Sequence, residues 1–62
     1  MLSKNIKKYR SKLGLTQEAL AIEAGVSYNT VTKIESRGIV NPRMETLKKL
    51  AKGLKVKIDD LV

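Results

Sequence analysis

The stretch from Thr16 to Glu35, TQEALAIEAGVSYNTVTKIE, constrains the fold more than any other part of the chain. Thr16 and Ser27 each suit a helix start, since a side-chain hydroxyl accepts a hydrogen bond from a backbone N–H left free in the first helical turn. Between them Leu20, Ala21 and Ala24 recur at helical spacing, as do Val31 and Ile34 after Ser27. Gly25 stands at the junction, where a residue able to take the left-handed conformation ends a helix. The spacing predicts two short helices hinged at Gly25, with Val26 filling the angle between them.

Two helices joined by a short turn containing glycine form a helix-turn-helix, whose second helix can lie in the major groove of DNA. The fold class that follows is all-α: a compact bundle of five short helices in a single domain, residues 1–62, with the helix-turn-helix at 16–36. A chain of 62 residues is near the lower limit for a core that holds without metal or disulfides. It contains no Cys and no His, which removes thiolate chemistry, the usual zinc ligands and the commonest general base. No metal site, catalytic site or cofactor is expected. With 13 Lys and Arg against 6 Asp and Glu, the net charge of +7 fits a nucleic-acid partner. No apolar run is long enough to span a membrane, and the expected location is cytoplasmic.

A first helix is predicted over residues 3–13, capped by Ser3, with Leu2, Ile6, Tyr9, Arg10 and Leu13 on one side and lysines mostly elsewhere. A basic amphipathic helix can also lie on an anionic membrane, but this apolar face is narrow and has no Trp or Phe. An inward-leaning Arg10 needs a partner for its charge. Gln17 opens the second helix, where free N–H groups and the helix dipole favour a phosphate. The third helix runs from Tyr28 to about Ser36; with Val31 and Ile34 inward, Tyr28, Asn29, Thr32 and Lys33 are left on the outer face. Asn matches the donor and acceptor of adenine, Lys the acceptors of guanine, and Thr or Tyr a thymine methyl or a hydrogen-bonding edge. Thr30 either touches a phosphate or bonds back to its own helix. Gly38 is expected to end this helix, and Asn41-Pro42 to extend the turn that follows.

A fourth helix is expected over 44–54, with Met44, Leu47, Leu50, Ala51 and Leu54 inward. At its exit, either Lys55 takes a left-handed conformation or the helix ends one residue early. A last turn, Ile58 to Val62, carries Asp59 and Asp60 at its positive end and packs Leu61 on the core.

The residues Thr16-Gln17-Glu18, Leu20-Ala21, Ala24-Gly25-Val26-Ser27, Val31, Ile34-Glu35, Asn41-Pro42, Thr46-Leu47, Leu50-Ala51, Leu54, Val56, Asp59 and Leu61 together resemble the phage repressor and Cro type helix-turn-helix domain. The resemblance runs over nearly the whole chain. It implies sequence-specific binding of double-stranded DNA by a transcriptional regulator, most often a repressor, as a dimer on two half-sites. It implies a buried ion pair between Arg10 and Glu35, and phosphate contacts from Gln17 and from the loop holding Arg37, Asn41 and Arg43; Thr16 and Thr30, at the starts of the second and third helices, are expected to add to them. The family often has a capping Ser or Thr after the Pro, where this chain has Arg43, a cation suited to phosphate or the minor groove. In solution a monomer or weak homodimer is expected, because Leu54 to Val62 offers few apolar atoms for pairing. The same fold also serves antitoxins and adaptors, so a protein partner is the alternative. Nothing places Ser, Lys and Asp as a nucleophile and base, which leaves no basis for an enzyme.

Overall fold

In a computed structural model describing residues 1–62, the two caps predicted for the helix-turn-helix form. The Thr16 hydroxyl oxygen accepts from the Ala19 N–H at 3.0 Å, and that of Ser27 from the Thr30 N–H at 3.1 Å. They open α2 (Gln17–Ala24) and α3 (Tyr28–Glu35), which stand between α1 (Leu2–Lys12) and α4 (Met44–Leu54), with the single turn α5 (Ile58–Leu61) last. There are no strands. α2 packs against α3 and α4, while α1 packs against α3 and α5. Ile6, Leu20, Val31, Ile34, Leu50, Leu54 and Leu61 are almost wholly buried, so every helix contributes to one core. Val26 packs on it from the turn. α5 docks on α1 through the Asn5 side-chain amide, which donates to the Leu61 carbonyl at 2.9 Å.

The four longer helices end in the same way. In α2 the Val26 N–H reaches the Ala21 carbonyl at 3.0 Å and the Gly25 N–H that of Ile22 at 3.2 Å, with Gly25 left-handed at φ 70°. This is the Schellman closure. α1 repeats it around Gly14, α3 around Arg37 and α4 around Lys55. The expectation that Gly38 would end α3 is therefore corrected: Arg37 holds the positive φ of 69°, and Gly38 supplies the next N–H, 2.7 Å from the Lys33 carbonyl. The position is set by hydrogen-bond register from the last helical turn, and the residue that falls there must comply. Lys55, at φ 60°, resolves the open choice at the end of α4 in favour of the left-handed form. Its Cβ carries a cost of ~1–2 kcal/mol, partly offset in the unfolded chain by losing less freedom than glycine does. Lys55→Gly is expected to raise stability by ~0.5–1 kcal/mol in urea unfolding; no gain would show that the turn relieves the strain elsewhere.

Gly53, inside the last turn of α4, is required by packing. A Cβ built there would lie 2.9 Å from both Cα and Cβ of Ala24, so α4 crosses α2 closer than any side chain permits. Alanine normally improves a helix interior by ~1 kcal/mol over glycine. Here the sign reverses: Gly53→Ala is expected to lose ~1–3 kcal/mol, because the neighbour to be displaced is backbone. A urea midpoint at or above that of the parent chain would show that the crossing opens easily.

Three further expectations are corrected. α1 begins at Leu2 with Met1 before it and no side-chain cap, so Ser3 lies within the helix, buried. Leu13 is 42% exposed because it stands past the last helical residue of α1, beyond the edge of the core. Met44 is 56% exposed for the matching reason, at the first position of α4. No helix is long and apolar enough to cross a membrane.

Candidate nucleic-acid interface

The orientation of α3 is fixed at one polar node. Glu35, 2% exposed at the last position of α3, receives a fork from Arg10: Nε donates to Oε2 at 2.7 Å and Nη2 to Oε1 at 3.0 Å. The remaining Arg10 nitrogen, Nη1, donates to the Leu15 carbonyl at 2.9 Å. Gln17 completes the set, its Nε2 donating to Glu35 Oε1 at 3.1 Å. A buried carboxylate is thus met by three charge-assisted or amide donors, the arrangement that compensates desolvation. α1, the α1–α2 turn, the start of α2 and the end of α3 all meet there.

The Leu15 carbonyl and the Gln17 amide are the members that sequence reasoning did not assign to this node. Besides the phosphate expected of its place at the start of α2, Gln17 has a structural partner, since its amide braces the last residue of α3. One of its two amide N–H bonds is taken up by Glu35. An inward-leaning Arg close to Gln in sequence signals a buried acceptor, but not which of them shares it.

On the opposite side of α3, Asn29 and Lys33 are exposed four residues apart and form the centre of the outer face. Tyr28 and Thr32 make the adjoining row, Tyr28 exposed and Thr32 half-buried. The Thr32 hydroxyl donates to the Asn29 carbonyl at 3.0 Å, so its proton is already engaged within the helix. Thr30 likewise turns inward on its own helix, its hydroxyl 2.8 Å from that of Ser27. The Thr16 oxygen serves as the cap of α2. Arg37, Asn41 and Arg43 are all exposed along the α3–α4 loop, and Arg43, the residue before α4, makes no capping bond with its side chain. Tyr28 also borders an apolar shelf with Ala21, Ile22 and Val26, where Ile22 is 81% exposed. The only hint of that shelf in the sequence is Ile22 itself, isolated on the polar side of α2.

Charge is distributed unevenly. Within 16–36, Lys33 is the single cation, against Glu18, Glu23 and Glu35. The excess positive charge therefore comes from α1, the α3–α4 loop and α4.

A family model described as helix-turn-helix matches residues 6–61. The chain is 36% identical over 61 residues to the HTH-type transcriptional regulator SlrR of Bacillus subtilis, covering 98% of this chain and 40% of that protein. It is 38% identical over 56 residues to an uncharacterized HTH-type transcriptional regulator of Archaeoglobus fulgidus, covering 90% of this chain and 79% of the relative. A further uncharacterized regulator of this type, from Methanocaldococcus jannaschii, is 40% identical over 60 residues, with 97% and 89% covered. The chain thus spans less than half of SlrR and most of the archaeal relatives. No solved structure matches it.

Proposed function

Because the chain belongs to the helix-turn-helix family of DNA-binding transcriptional regulators, we propose that it is a domain of the phage repressor and Cro type that reads a two-fold operator through α3. The observation carrying this reading is the exposed Asn29 and Lys33 row at the centre of the outer face of α3, backed by a buried ion pair that fixes the helix from behind. Asn29 and Lys33 supply the paired contacts to base edges, with Tyr28 and the methyl of Thr32 beside them. Thr16, Gln17 and Thr30 at the two helix starts, and Arg37, Asn41 and Arg43 in the loop, meet phosphates on either side. Residues 1–62 act as one domain, a monomer or weak dimer alone, pairing on half-sites about one helical turn apart. The output is repression.

Selection of bound duplexes from a random pool at two salt concentrations tests this. A two-fold-related motif with roughly one-turn spacing is expected. Sequence-blind binding that vanishes at moderate salt would sink the proposal and turn attention to a protein partner, for which the apolar shelf at Ile22, Val26 and Tyr28 is the feature to follow.

Arg37 allows a second test, because its left-handed backbone and its proposed phosphate contact make opposite demands. Arg37→Gly is expected to gain stability as Lys55→Gly does, yet weaken duplex binding and lower the salt slope by about 0.9. Lys55→Gly should change stability alone. Equal binding by the two variants would remove Arg37 from the interface.

A further inference from the structure

The lysines of α1 are arranged with more order than solubility requires. Lys4, Lys8 and Lys12 stand four residues apart on one exposed stripe, with no acidic residue anywhere in α1. Like charges at that spacing oppose the helix, and Lys4 also stands in the first turn, where the dipole disfavours a cation. Neither salt bridge of the molecule includes a stripe residue. The Lys8 and Lys12 ammonium groups lie 5.2 and 5.6 Å from the centre of the Tyr9 ring, whose electron-rich face attracts a cation.

By helical position Lys8 and Lys12 lie on the side of α1 turned away from α3, with Lys4 at its margin. Arg10 marks the side of α1 turned to α3, through its bonds to Glu35. Asn5 marks the side turned to α5, through its bond to Leu61. Lys8 and Lys12 follow Asn5 by three and seven residues and so share its side, nearly half a turn from Arg10. Phosphates of a duplex seated on α3 are served by the α2 start and the α3–α4 loop, and a second cationic row lies elsewhere.

We propose that the Lys4, Lys8 and Lys12 stripe, steadied by Tyr9, is a second nucleic-acid surface that holds the sugar-phosphate backbone of another duplex segment without regard to sequence, letting one domain bridge two stretches of DNA. The inference rests on the reading of α3 given above. A duplex is favoured over a single strand because the Tyr9 ring is half-buried and occupied by ammonium groups, leaving no free aromatic face on which a base could stack. It is favoured over a membrane because the apolar side of α1, with Ile6 almost wholly buried, is spent on the core.

Energy transfer between donor-labelled and acceptor-labelled short duplexes, mixed with the protein at low salt, measures bridging. The Lys4→Gln, Lys8→Gln, Lys12→Gln triple variant keeps good helix formers and relieves the repulsion, so α1 is expected to persist, checked by circular dichroism. The expected result is bridging by the parent chain, at least ~10-fold weaker in the triple variant, with single-duplex affinity and salt slope nearly unchanged. A salt slope lower by about 2.7 in single-duplex binding would place the three lysines on the first duplex and overturn the inference. Bridging that survives in the triple variant, as in a dimer offering two α3 helices, would overturn it as well. So would displacement of the second duplex by phosphatidylserine vesicles. A parent chain that binds one duplex and bridges none defeats this inference alone, whereas one that binds no duplex defeats the reading of α3 with it.

Discussion

Arg10→Met is expected to cost ~3–5 kcal/mol, which for a core of this size is most or all of the folding free energy. The loss does not measure the strength of the ion pair. It comes from leaving Glu35, 2% exposed, with a charge that only Gln17 still meets, and from stripping the Leu15 carbonyl of its donor. A hydrophobic side chain of similar length fills the space of Arg10 but supplies no proton. Arg10→Met with Glu35→Met should therefore recover much of the stability, since a buried pair replaced at both ends is often neutral or better. Urea unfolding of the parent, both single variants and the double variant closes the cycle, with slopes compared to check that the native states are alike. A loss below ~1 kcal/mol for Arg10→Met would mean that water reaches Glu35 and that the node is a surface feature. The double variant also separates stability from function. Gln17 loses its acceptor there, so the start of α2 is no longer tied to the end of α3. Weaker duplex binding is expected even where the fold is restored.

What could be read from the chain alone follows from how local each signal is. Thr16, Ser27 and Gly25 declare the helix-turn-helix because a cap and a left-handed turn are decided within four or five residues. The buried faces follow from periodicity, which gives the angle of a residue around its helix. Periodicity says nothing of how far along the axis the core extends, and so Leu13 and Met44, at the correct angle, fall outside it. Ser3 has the chemistry of a cap, but Leu2 and Ile6 are pulled inward strongly enough to start the helix before it. Gly38 was the misleading glycine: it reads as punctuation, yet the left-handed turn falls on Arg37 one residue earlier. Gly53 answers to a neighbour distant in sequence, Ala24, which no local pattern announces. The same limit applies at the site. Exposure of Tyr28, Asn29 and Lys33 was legible from the inward Val31 and Ile34, whereas the engaged hydroxyls of Thr30 and Thr32 depend on rotamers that sequence does not encode.

Those rotamers bear on how the proposed readers divide between specificity and attraction. Asn29→Ala removes a neutral side chain that can pair with a base edge, and nothing else in the fold leans on that side chain: the bond from Thr32 goes to the backbone carbonyl of Asn29. The expected result is a loss of ~1–3 kcal/mol, roughly 5- to 150-fold, on the selected duplex, with little change on an unrelated one and no change in salt slope. Arg43→Ala should behave in the opposite way, weakening both duplexes alike and lowering the slope by about 0.9. Lys33→Ala combines the two, because an ammonium at a guanine edge also contributes to the general attraction. The three variants thus give three patterns from one set of titrations at several salt concentrations. The contrast is sharpened by charge: within 16–36 Lys33 stands against Glu18 and Glu23, with Glu35 neutralised by Arg10, so the helix-turn-helix adds no net positive charge and the attraction proposed for DNA comes from cations elsewhere. Sequence preference and attraction are then assigned to different parts of the chain, and Asn29→Ala is the variant that isolates the first. Equal weakening of both duplexes by Asn29→Ala would show that this residue positions the protein and that the reading of sequence lies elsewhere on α3.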